Sequence, residues 1–146
     1  MKEREFLCGD MQEIADFCDS HSEEYDRISD HLVLYLCVCL TGYFEQFVKE
    51  IIGLEEDEKK RYSNFGPRVL KGHLGKCSRE WQRALEEAFA NDDEIEHLLD
   101  AMVKERHKIA HGESTYMGIK VLKSHVENVC TLEKIISDIV KKHPLH

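Results

Sequence analysis

Residues 28–52 read ISDHLVLYLCVCLTGYFEQFVKEII. The stretch carries no proline, and its apolar side chains recur around most of a helical circumference rather than alternating in and out. A helix of that kind is stable only when other elements surround it. It is therefore expected to be the central and most buried helix of an all-α bundle, closed by Gly53. Its most apolar part, residues 32–40, is nine residues long, which is short for a bilayer span and suits a buried core segment.

Working outward, the chain before this helix predicts another over residues 3–19, with Phe6, Met11, Ile14, Phe17 and Cys18 facing inward. Ser22 offers a cap for the central helix, with Glu23 and Glu24 in its first turn. After Gly53, residues 54–62 are charged and suit an exposed short helix or loop, and the run SNFGP at 63–67 is a break. Helical character resumes near Val69, weakens at Gly72 and Gly75, and is strong from Ser78 to Ala90. Asp92 or Asp93 can cap the next helix, which Gly112 stops. Ser114 or Thr115 can cap the last, which runs to Lys142 with Ile119, Leu122, Val126, Val129, Cys130, Ile136, Ile139 and Val140 inward. The whole chain, residues 1–146, is expected to be one domain of about five helices with short connections.

Composition narrows the setting. The amino terminus lacks the apolar run of an export signal, which points to the cytoplasm. The six cysteines include no CxxC pair, and Cys37 and Cys39 point to nearly opposite sides of one helix. They are read as small apolar residues in a reducing compartment rather than as disulfides or zinc ligands. The formal net charge is −9, which argues against nucleic-acid binding by charge alone. The distribution differs from the total. Residues 59–83 hold eight basic side chains and one acidic one, a net of +7, whereas residues 1–58 have a net of −12. This basic island can face a phosphate backbone or pair with its acidic flanks.

Two residues break the apolar pattern. Ile95, Leu98, Leu99, Met102 and Ile109 form one stripe at helical spacing, and Arg106 falls in its middle. Glu45 lies in line with Leu34, Val38 and Ile52 on the central helix. A buried charge is costly unless paired or placed at an interface, so a Glu45–Arg106 ion pair is one resolution and a functional site is another.

Residues 106–112 read RHKIAHG. The arginine, the histidine five positions later and the closing glycine resemble the R-x4-6-H motif of the HEPN superfamily of helical ribonuclease domains. The stretch TGYFEQFVKEII at 41–52 and the amphipathic helix after the motif are also similar to that family. A second match to the spacing, Arg68 to His73, follows Pro67 in a glycine-interrupted region and lacks a preceding amphipathic helix.

The resemblance implies metal-independent, cofactor-free cleavage of RNA by 2′-hydroxyl attack, in a toxin–antitoxin or antiviral setting. Arg106 and His111 would be catalytic, supported by His107 and Glu45. His111 suits a proton donor or acceptor near neutral pH, and Arg106 suits the charge that develops on a phosphorane. Lys71, Lys76, Arg79 and Lys108 are the expected RNA contacts, with tRNA, mRNA or other single-stranded or loop RNA as substrate. On a straight helix Arg106 and His111 diverge by about 140° and by about 7.5 Å in rise, so one copy makes a poor site. A homodimer sharing two copies across a two-fold axis is implied, flanked by the basic island, with an antitoxin or inhibitor as a further partner and no membrane. A non-catalytic HEPN-like module for dimerisation, RNA binding or partner docking is the alternative. His107 and His111, four apart, also form a possible metal pair, but no third ligand is evident. The remaining histidines, at 21, 31, 73, 97, 125, 143 and 146, are expected at the surface.

Overall fold

The computed structural model describes residues 2–20, 26–53, 65–113 and 115–145, with side chains from residue 9 in the first helix and from residue 30 in the second, Cys18 excepted. The described residues are all-α. They form α1 (Lys2–Ser20), α2 (Asp26–Ile51), α3 (Pro67–Cys77), α4 (Arg79–Asn91), α5 (Asp93–Ala110) and α6 (Ile119–Lys142). Ser22 and residues 54–62, with the cap and the exposed segment expected there, lie outside the described residues, as does Ser114.

Among the described residues there are six helices, where about five were expected. The weakly helical stretch from Val69 is a helix of its own: Ser78, where strong helical character was expected to begin, ends α3 with its extended backbone and caps α4 by accepting from Trp81 N. Pro67 opens α3, where its missing N–H costs nothing. Asp92 caps α5 by accepting from Glu94 N. Gly112 ends α5 with φ +66°, a conformation that favours glycine. The expected cap of the last helix is corrected. The N-cap of α6 is Gly118, with no side-chain hydrogen bond, and Thr115 instead donates its hydroxyl to Glu105.

The bundle is centred on α6, which packs on α1, α2, α4 and α5. Its stripe Leu122, Val126, Val129, Leu132, Ile136 and Ile139 is buried along the whole helix. From α2, Val33, Leu36, Leu40, Phe44, Phe47 and Val48 enter the core, while Tyr35 stays exposed. The centre expected of α2 therefore belongs to α6. Residues Asp30–Ile51 are also long and apolar enough to cross a membrane by length and composition, which corrects the reading of the shorter run; yet their inward face is part of the core, and a core helix passes the same test. The inner face expected of α1 is corrected too: Phe17 is 58 % exposed and Ile14 is exposed, while Ala15 is sealed and Met11 packs against the core.

The cysteine reading holds in part. Cys37 is free and buried, and Cys39 and Cys77 are free and half-buried. Cys130 is disulfide-bonded, which corrects its assignment as an unpaired apolar residue.

Candidate functional site

The motif occupies the last turn of α5. Ile95, Leu99 and Met102 are buried; beyond Met102 the helix is less covered, with Val103 and Ile109 packed against the edge of the core. Glu105, Arg106 and Ile109 are half-buried, whereas His107, Lys108, Ala110, His111 and Gly112 are exposed. The turn carrying RHKIAHG thus keeps one face, with Ile109, against the core and presents the other, with His107, Lys108 and His111, to solvent.

His107 and His111 stand one turn apart with ring centroids 4.2 Å from each other in an edge-to-face arrangement. Imidazoles this close lie within reach of one bound group. Arg106 is half-buried and Glu45 is 9 % exposed. Neither is without an interaction partner, and the helices that carry them, α5 and α2, pack together. Among the described residues no group of three or more His, Cys, Asp or Glu side chains is arranged to hold a metal ion.

The expected RNA contacts are dispersed. Gly66, just before α3, lies against Val103, and Lys71 further along α3 bonds Glu96 at 2.7 Å, so α3 runs antiparallel to α5. Lys71 is thus about 15 Å along the α5 axis from Arg106, taking ten residues of helical rise. It is also engaged, with its ammonium 5.3 Å from the Phe89 ring centroid. Lys76, Arg79 and Arg83 are exposed, and Lys76 and Arg79 continue away from the motif. Lys108 sits within the motif turn and bonds Glu105 at 3.3 Å. Lys59, Lys60 and Arg61 lie outside the described residues. An open groove of about 730 Å³ separates α3, α4 and α5, walled by Arg68, Lys71, Gln82, Glu86, Glu96 and Asp100. Its mixed charge favours no single class of ligand, and it contains none of the motif residues.

The second R-x4-6-H match has no accessible histidine. Arg68 is exposed, but His73 is buried, its ring 5.4 Å from that of Phe65. Comparison with known proteins gives no match to a family model, a curated protein or a solved structure.

Sequence reasoning missed a polar group directly beneath the motif. Glu105 precedes Arg106 and accepts from Thr115 Oγ1 at 2.6 Å and from Lys108 Nζ at 3.3 Å. The hydrogen bond from Thr115, ahead of the Lys108 contact, holds the Glu105 carboxyl below its ordinary value. Its charge reaches two buried groups. The Cys37 thiol on α2 is pushed up to about 11 by burial, with the Glu105 charge adding to the effect, so it is not a thiolate nucleophile near neutral pH. His125 on α6 is pushed below its ordinary value by burial, which outweighs the opposite effect of Glu105. His125 and His73 were expected at the surface, but both are buried; His31 and His97 are exposed, and His143 is half-buried. His21 and His146 lie outside the described residues. A signal for His125 was present, since it lies between Leu122 and Val126 on the apolar stripe of α6.

Proposed function

We propose that this chain is a HEPN-type, metal-independent endoribonuclease. The observation that carries the reading is the solvent-facing final turn of α5, where His107 and His111 lie 4.2 Å apart and Arg106 sits at the core's edge. The RHKIAHG match, the helix before it, the glycine stop and the long helix after it support the same reading.

The chemistry assigned is attack of a ribose 2′-hydroxyl on the adjacent phosphorus. The 2′-oxygen–phosphorus bond forms, the bond to the 5′-oxygen of the next nucleotide breaks, and a 2′,3′-cyclic phosphate and a 5′-hydroxyl result. One imidazole takes the 2′-proton and another returns a proton to the leaving oxygen. Arg106 stabilises the charge on the phosphorane. Two copies of the chain supply these groups to one cleft in a homodimer, because Arg106 and His111 diverge on a single helix. Lys108, within the motif turn, is the basic residue best placed to hold the substrate backbone, and Lys76 and Arg79 suit more distant phosphates. The substrate class is single-stranded or loop RNA in the cytoplasm, and a toxin or antiviral role follows from the resemblance.

A non-catalytic, partner-docking module is favoured by one specific observation: Lys71 is held by Glu96 and Phe89 rather than facing open solvent. The deciding experiment is incubation of labelled total RNA and tRNA in EDTA with the purified chain and with His111→Ala. Cleavage by the wild type alone, leaving cyclic-phosphate ends, supports the nuclease. Equal cleavage by both identifies a contaminant. Folded, dimeric protein with no activity in either form supports the docking module.

A further inference from the structure

His107 and His111 are both exposed, and their ring centroids lie 4.2 Å apart. Residues four apart stand one above the other on a helix, so both rings lie on one side of the final turn of α5. A neutral imidazole has one unprotonated nitrogen, whose lone pair accepts a proton or binds a metal ion. The cleavage proposed above uses the first property. The second belongs to the same atoms.

The geometry suits one ion held between the rings. A tetrahedral Zn²⁺ at about 2.0–2.1 Å from each nitrogen keeps the two nitrogens about 3.3 Å apart. Rings with centroids 4.2 Å apart reach that spacing by opening slightly about their own side-chain torsions. The backbone beneath them is already fixed: the His111 N–H donates to the His107 carbonyl at 3.1 Å, and the Glu113 N–H donates to the Lys108 carbonyl at 3.0 Å. This turn is the negative end of the helix dipole, which favours a cation. Its Lys108 ammonium is paired with the Glu105 carboxylate at 3.3 Å, and Glu113 is exposed just beyond.

We propose that His107 and His111 chelate a divalent transition-metal ion of the zinc class, and that the bound ion switches the motif off. Binding rests on the geometry alone, whereas the switching rests on the nuclease reading. Imidazole nitrogens suit zinc, copper and nickel, while magnesium and calcium take oxygen ligands. Among the described residues no third His, Cys, Asp or Glu joins the pair, so water completes the coordination. Two protein ligands make an exchangeable site, governed by the level of free metal. While the ion is bound, neither lone pair takes the ribose 2′-proton and neither nitrogen returns a proton to the leaving oxygen. No covalent bond of the chain changes, and a chelator restores the free pair.

The test is a titration of the metal-free full chain with zinc chloride, followed by calorimetry and by NMR of the imidazole carbons. Binding saturates at no more than one ion per chain, the His107 and His111 signals move together, and EDTA reverses both. His107→Gln and His111→Gln each weaken binding by roughly 10²-fold, because the second ligand no longer acts intramolecularly. Both side chains are exposed, so the variants fold. His97→Gln, exposed on the same helix, binds as the wild type does. Signals that move for one motif histidine only, or for His31, His97 or His143 instead, overturn the chelate. So does wild-type affinity in either motif variant. RNA cleavage is followed in parallel. Loss of activity at the zinc midpoint seen by NMR supports the switch, and activity retained with the pair saturated overturns it. A normal zinc titration with no cleavage even in EDTA removes the nuclease reading and leaves the metal site. Cleavage with no zinc binding removes the metal site and leaves the nuclease.

Discussion

The two ends of α5 follow different rules. From Ile95 to Met102 the helix obeys its apolar stripe, with Ile95, Leu99 and Met102 sealed in the core and Asp92 capping the entry. From Glu105 onward the same stripe contains Arg106, and the turn that follows is exposed around His107 and His111. The first end is held by packing, which tolerates little change in volume. The second is held by Ile109 at the core's edge, by polar contacts of Glu105 with Thr115 and Lys108, and by the glycine stop. On a helix with both characters, charged groups are solvated and accessible at little cost only where the packing thins.

The largest expected effect separates these ends by activity. On the proposed function, His111→Ala lowers RNA cleavage by roughly 10²–10⁴-fold, the usual contribution of a general acid or base. The same variant changes unfolding free energy by no more than about 0.5 kcal/mol, since the side chain is exposed. A fall in thermal midpoint large enough to explain the lost activity would break the distinction.

At the packed end the converse holds. Leu99→Ala leaves a cavity in the core and costs about 2–5 kcal/mol in urea unfolding, while per-molecule activity at low denaturant is retained. A cost under about 1 kcal/mol would mean that the two ends are not so differently packed.

The pH dependence links the ends through the bundle. His125 has a folded-state value below its ordinary 6.5, so its contribution to stability is whole above that value and is lost as pH falls through the folded-state one. Glu105, a carboxyl held below its ordinary 4.5, contributes stability above 4.5 that is lost at still lower pH. Urea midpoints should therefore fall in two stages on acidification, and His125→Phe should remove the first stage. A single stage in the wild type, confined to the carboxylate range, would count against a neutral buried imidazole.

The smallest effects lie at the helix termini. Asp92→Ala removes the N-cap and costs about 1 kcal/mol. Gly112→Ala puts a side chain at φ +66°, also costing about 1 kcal/mol, although an added Cβ there meets nothing within 4 Å. The comparison is sharpened by cleavage assays: Gly112→Ala should disturb the adjoining His111 and lower activity, whereas Asp92→Ala should not.

Much of this was legible in one dimension. The stripe of α6, the cap at Asp92 and the stop at Gly112 depend on neighbours within a few residues. The start of α4 at Ser78 was read, but the stretch before it, interrupted by Gly72 and Gly75, read only as weakly helical, and the backbone turn at Ser78 shows it to be a separate helix. Phe17 and Ile14 were assigned inward because periodicity identifies a face without saying whether a neighbour covers it. Of the candidate site, the motif and its place at the glycine-stopped end of a helix were legible, whereas the exposure of His107 and His111 was not. The Glu105–Thr115 hydrogen bond was not read, since its two residues come from different segments and each taken alone is an ordinary polar residue.

The sequence by itself determined the all-α class, most helix boundaries and the conspicuous Arg106–His111 pair, because caps, glycine stops and 3.6-residue periodicity are local physics. Tertiary structure alone decided that α6 rather than α2 is the hub, that the motif turn keeps Ile109 against the core while His107 and His111 meet solvent, and that His125 is sealed in the core. Those outcomes depend on which apolar faces meet and where each contact surface ends. That is a competition among all the helices at once, and no single helix encodes its result.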